Sequence, residues 1–174
     1  MLGYEKDKAW SDRFLVEIKR TLGEYLISEA PVEEDQICNT DLVVLSAAPY
    51  RVACRIRRHE YIQRYGNEFT IREGRPSGVK TELAKIVEGW GDYLFYGFSD
   101  TNEQCIERWM LGDLKIFRLW FMRHLITGHG TPPGRGKPNQ DGSSSFRAYD
   151  ITSLPPEFIV ASNWKTHETI SLFP

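Results

Sequence analysis

Between Arg13 and Ser28 the apolar residues Phe14, Leu15, Ile18, Leu22, Tyr25 and Leu26 recur at helical spacing, behind Ser11 and Asp12. The spacing predicts a first helix there, ended by Pro31 and the acidic run Glu33, Glu34, Asp35. The pattern then changes period. Asp41 to Leu45 (DLVVL) is a short β-branched run, and Arg51 to Arg57 (RVACRIR) alternates charged or small residues with Val52, Cys54 and Ile56. The intervening SAAPY has the small residues and proline of a reversal, so the two runs predict a β-hairpin. Phe69 to Arg72 (FTIR) predicts a third strand, after a stretch from Arg58 to Tyr65 that reads as a short helix or an irregular connection.

Gly74, Pro76 and Gly78 mark a loop carrying Arg72, Arg75 and Lys80. Thr81 to Gly89 predicts a helix with Leu83, Ile86 and Val87 inward, and Asp92 to Phe98 (DYLFYGF) a buried strand. A strand over Ile106 to Leu111 and a long helix over Asp113 to Ile126 follow. Thr127 to Ser145 is dominated by glycine, proline, serine and polar residues, which predicts a long loop. Ser145 to Asp150 and Phe158 to Ala161 predict final short strands. The fold class expected is mixed α/β, with a mixed sheet flanked by helices in the order helix, three strands, helix, strand.

Composition narrows the class further. With 41% apolar and 26% charged residues over 174 positions, the chain is too hydrophobic for disorder and long enough for one unstapled domain spanning 1–174. The formal charge of −2 excludes a broadly polybasic protein while leaving room for a local basic surface. Cys38, Cys54 and Cys105 are odd in number and form no CxxC pair, so neither a disulfide framework nor a zinc site is implied. Cys54 reads as a buried small hydrophobe. The polar start of the chain and the lack of a long apolar run point to a cytoplasmic protein without a membrane segment. His59, His124, His129 and His167 have no metal-binding spacing, and the glycine-rich Gly134 to Lys137 reads as a mobile basic loop available to nucleic acid.

The chemistry lies in how charges sit on these elements. Arg51, Arg55 and Arg57 alternate on one strand face and Arg58 follows, an arrangement suited to phosphate because guanidinium forks pair with it in a bidentate way. A solvated strand edge explains the same residues. Arg72, Arg75 and Lys80 approach the helix start at Thr81, where the partial positive charge adds to an anion site; Thr81 as a simple cap is the plainer reading. Glu17 and Glu24 share one helix face, and Asp41 opens an apolar strand, where an unpaired carboxylate is costly to bury.

An acid on a leading helix, an aspartate opening one strand and a charged pair on the next resembles the core of the PD-(D/E)XK, or restriction-endonuclease-like, nuclease superfamily. The resemblance spans roughly 11–98, leaving 99–174 as a C-terminal extension with the 127–145 loop. It implies nucleic-acid handling, DNA or RNA, with Glu24, Asp41, Arg55 and Arg57 as the catalytic set. It further implies Mg2+ or Mn2+ on Asp41 and Glu24 where the site is active, and Arg51, Arg58, Arg72, Arg75 and Lys80 as nucleic-acid contacts.

The sequence departs from that pattern at Arg55, which stands where the family needs an acid and repels the metal. Arg57 takes the lysine position as a permanently charged clamp that transfers protons poorly. Glu60, Glu68 and Glu82 are the candidates to restore a carboxylate. A catalytically decayed relative that only binds is therefore one reading. A second is a non-enzymatic phage or mobile-element protein that engages a host partner through aromatic residues such as Trp109, Phe117, Trp120 and Phe121. A nucleotide or small-molecule enzyme is a third, and a homodimer is compatible with each.

Overall fold

The run Tyr93–Ser99 is apolar without alternation because it is buried on both faces, as the central strand of a layered α/β structure must be. The computed structural model describes residues 2–22, 26–29, 42–44, 49–139 and 142–164, with side chains over 5–22, 49–139 and 142–164. In chain order the elements are α1 (Leu2–Asp12), α2 (Leu15–Leu22), β1 (Leu26–Glu29), β2 (Leu42–Val44), β3 (Tyr50–Arg57), α3 (Glu60–Arg64) and β4 (Glu68–Gly74). They continue as α4 (Glu82–Val87), β5 (Tyr93–Ser99), β6 (Ile106–Asp113), α5 (Leu114–Thr127), β7 (Arg135–Pro138), β8 (Ser145–Asp150) and β9 (Ile159–Ser162). Short 3-10 turns at Ile151–Ser153 and Pro156–Phe158 lead into β9.

Two sheets result. The larger is mixed, in the order β1-β2-β3-β5-β6-β9, and the smaller is β4-β8-β7. β2 and β3 pair antiparallel, as a hairpin, with Leu42 opposite Val52. β3 and β5 pair parallel, with Cys54 opposite Phe95 and Arg57 opposite Phe98. A parallel pair needs a long crossover, and here it carries α3, β4 and α4.

Side-chain alternation divides the core in two. Val52, Ile56 and Phe95 point to one face of the larger sheet and pack with Phe14 and Ile18 near α2. Ala53, Leu94, Tyr96 and Phe98 point to the other, where they meet Phe69, Phe117, Tyr149 and Phe158. That second cluster joins the larger sheet to the smaller one and to α5, whose start is capped by Asp113 Oδ1 accepting from the N–H groups of Lys115 at 2.7 Å and Ile116 at 3.1 Å.

Several expectations change. The helix predicted over 13–28 ends at Leu22, and 26–29 is a strand paired with β2. The pairing overrides an apolar spacing that fits either period. A helix precedes it at Leu2–Asp12, where no element was expected. FTIR is a strand, but of the smaller sheet, and the first three strands in chain order are β1, β2 and β3. The 127–145 stretch is not one loop, because Arg135–Pro138 pairs with β8 as an edge strand. Pro138 fits there because an edge leaves one side of the ladder unpaired. Cys54 is half-buried. Phe117, Trp120 and Phe121 are core residues, and Trp109 stacks on Phe95. No helix among the described residues is long and apolar enough to cross a membrane.

Candidate functional site

The alternation of β3 that sends Val52 and Ile56 to the α2 side sends Arg55 and Arg57 toward the smaller sheet. There β4 and β8 place Arg72 directly opposite Phe146. The guanidinium carbons of Arg57, Arg72 and Arg55 lie 5.1, 5.5 and 5.9 Å from the centroid of the Phe146 ring. Like charges gather here because the ring quadrupole attracts each of them. Arg57 is further fixed by its Nη2, which donates to Thr70 Oγ1 at 2.6 Å, and Thr70 Oγ1 lies 3.3 Å from the Tyr96 hydroxyl.

Among the described residues, one buried carboxylate answers this charge. Thr81 caps α4 by accepting from Ala84 N at 3.3 Å, which turns the first-turn residue Glu82 inward. Glu82 is 8% exposed; its Oε2 accepts from Arg55 Nη2 and from the backbone N–H of Arg72 at 3.1 Å. Arg57, Arg72 and Arg75 have no ion pair with any carboxylate among the described residues. The strain of this crowding shows at Arg72. Burial, then the neighbouring Arg55 and Arg75, lower its guanidinium to about 10, and its Nε is buried without a hydrogen-bond partner.

The cluster floors an open groove of about 700 Å3, with Arg58 and Arg75 on its walls and Asp7 and Asp12 of α1 also lining it. Beside it lies a second cavity of about 480 Å3, walled by Tyr61 of α3, Tyr65 just after it, Tyr96 and Phe98 of β5 and Lys137 of β7. Arg57, Tyr61, Asn139 and Phe146 line both spaces, so the two are adjacent. Such an arrangement offers fixed guanidinium donors and an aromatic wall to an anion carrying a ring.

The residues singled out in the sequence are distributed unevenly. Arg55, Arg57, Arg72 and Arg75 come together in the groove, and Arg58 joins at its edge, 3.4 Å from Glu103 and over the Trp10 ring. Arg51 shares their strand but lines neither space; its N–H donates to Asp92 Oδ2 at 2.7 Å. Lys80 turns away to Glu88 at 2.8 Å, so the expected convergence at Thr81 loses that cation. Glu24 and Asp41 lie outside the described residues. Glu17 is structural, since both its carboxylate oxygens accept the Ile106 N–H at 2.9 Å. Of the substitute carboxylates, Glu68 is taken by Arg135 at 2.6 Å, and Glu82 alone reaches the arginines. No group of three His, Cys, Asp or Glu residues with metal-binding proximity occurs among the described residues.

Phe146, Tyr61 and Tyr65 carried no functional expectation. Phe146 sits in a serine-rich stretch, and its partners lie far away in sequence, so only the pairing of β8 with β4 reveals its place. Tyr61 and Tyr65 did carry a signal, because a four-residue spacing puts two rings on one helix face. Lys137, expected in a mobile loop, is held on β7 with Nζ 4.6 Å from the Tyr65 ring centroid. The chain matches no family model, no curated protein and no solved structure.

Proposed function

We propose that the protein binds nucleic acid, with a backbone phosphate seated on Arg55, Arg57 and Arg72 in the groove between the two sheets. The observation that carries this reading is the gathering of these guanidinium groups around one ring at an open groove, against one buried carboxylate among the described residues. Arg55, Arg57 and Arg72 line an open groove, and guanidinium forks pair with phosphate through charge-assisted, bidentate hydrogen bonds. A restriction-endonuclease-like core is part of the same reading. Its support is the order α2, three antiparallel strands, α4 and a strand parallel to β3, with α3 and β4 inserted between β3 and α4, and the arginine pair Arg55 and Arg57 on β3.

Binding is favoured over cleavage. The described residues do not fit a Mg2+ or Mn2+ centre, because Arg55 holds the acid's place and Glu82 is engaged by Arg55 and the Arg72 N–H. Fluorescence anisotropy with labelled single-stranded and duplex DNA and RNA tests the reading. Binding that weakens about tenfold in Arg57→Ala and Arg72→Ala, each a loss on the scale of a charge-assisted hydrogen bond, supports it. Absence of binding to every nucleic acid overturns it. Incubating the same substrates with Mg2+ or Mn2+ tests the binding-only part, and cleavage lost in Asp41→Ala overturns that part.

A further inference from the structure

Resting on the nucleic-acid reading, we infer that the cavity beside the arginine groove receives an unpaired base, so that the protein takes single strands in preference to duplexes. Three observations on the cavity lead there. Its volume, about 480 Å3, falls in the range of small-ligand pockets. Its wall is aromatic where a base would lie, with Tyr61 38% exposed and therefore open to stacking, while Phe98 is buried at the back. Among its polar groups, the Thr70 and Tyr96 hydroxyls are hydrogen-bonded in a chain to Arg57, which also lines the arginine groove, and Arg64, Lys137 and Asn139 lie elsewhere on the lining.

The distribution of cations fits the same occupant. Tyr65 is already covered, by Arg64 at 5.6 Å and Lys137 at 4.6 Å from its ring centroid, and Tyr61 packs against it at 6.0 Å. These contacts hold the Tyr61 ring in place, and a held ring stacks at little entropic cost. Arg57 belongs to both spaces and would bridge a phosphate in the groove to a base in the cavity. A base locked in a duplex has no such freedom. Extruding it costs unpairing and unstacking, which a single strand avoids.

The test uses the full chain and labelled strands of equal length: oligothymidine, a strand made wholly of abasic deoxyribose phosphate, and a thymidine-adenine duplex. Oligothymidine is expected to bind about tenfold tighter than either of the others, the scale of one stacked base. Tyr61→Ala is expected to abolish the difference between oligothymidine and the abasic strand, whereas Tyr61→Phe keeps the wild-type ranking. Equal affinity for thymidine and abasic strands, both weakened by Arg57→Ala, overturns the base pocket while the phosphate reading stands. Preference for the duplex overturns it as well. No binding to any strand overturns the phosphate reading and this inference together.

Discussion

Arg55 on β3 donates through Nη2 to Oε2 of Glu82 on α4, and the pair closes the floor of the groove with side chains 18% and 8% exposed. The same Glu82 oxygen holds the Arg72 N–H, so one carboxylate joins β3, α4 and β4. Removing one member of a buried ion pair leaves the other uncompensated, at a cost of about 3–5 kcal/mol. Glu82→Ala is therefore expected to lower unfolding free energy by about that much in urea titration. Glu82→Gln, which keeps an acceptor, is expected to lose less. The milder variant should also bind nucleic acid more tightly, because it removes negative charge from the anion site; unchanged or weaker binding would speak against the site.

Arg72 gives the opposite trade. Its guanidinium is lowered to about 10 by burial and by Arg55 and Arg75, so its charge opposes folding below that pH. With the folded value below the unfolded one, the penalty is present at neutral pH and is relieved only as pH rises through about 10. Arg72→Met keeps the stem over Phe146 and removes the charge. Since the group is partly exposed, the expected gain is about 1 kcal/mol of stability at pH 7, alongside weakened nucleic-acid binding. Thermal melts of the two proteins check it, and a lower melting temperature for the variant contradicts the crowding argument.

Phe146 is the surface on which the guanidinium groups are arranged. Phe146→Leu retains an apolar side chain but loses the ring face, worth about 0.5–1 kcal/mol for each partly exposed cation. Nucleic-acid affinity is expected to fall several-fold, with little loss of secondary structure by circular dichroism. Affinity equal to wild type would mean that the ring does not organise the site.

Gly112 tests the packing that sets β6 beneath the 3-10 turn before β9. A Cβ added there would meet the Phe158 ring at 2.5 Å, and Phe158 is fully buried. Gly112→Ala is expected to cost about 1–3 kcal/mol through overpacking. Denaturant midpoints decide it, and a neutral substitution would mean that the ring moves aside freely.

Much of the larger sheet was legible in the sequence because its signals are local. The alternation of RVACRIR and the unbroken apolar DYLFYGF each act within a few residues. The smaller sheet was hidden because β4 and β8 are distant in the chain, and RGKP on β7 has little intrinsic strand preference. The same separation concealed half of the site. Arg55 and Arg57 could be read as one cationic strand face, but the ring they surround and the cavity beside them arise only from tertiary pairing. At 26–29 the apolar spacing of the preceding helix continues past Gly23, and a glycine in that position was the signal that the helix ends.

The central claim, that Arg57 and Arg72 hold backbone phosphate, is tested most directly by the salt dependence of binding to a labelled single strand. The logarithm of the association constant is expected to fall linearly with the logarithm of salt concentration, and Arg57→Ala and Arg72→Ala are each expected to reduce the slope by about 0.7, one phosphate contact apiece. Wild-type slopes retained in both variants would place the phosphates elsewhere and contradict the account.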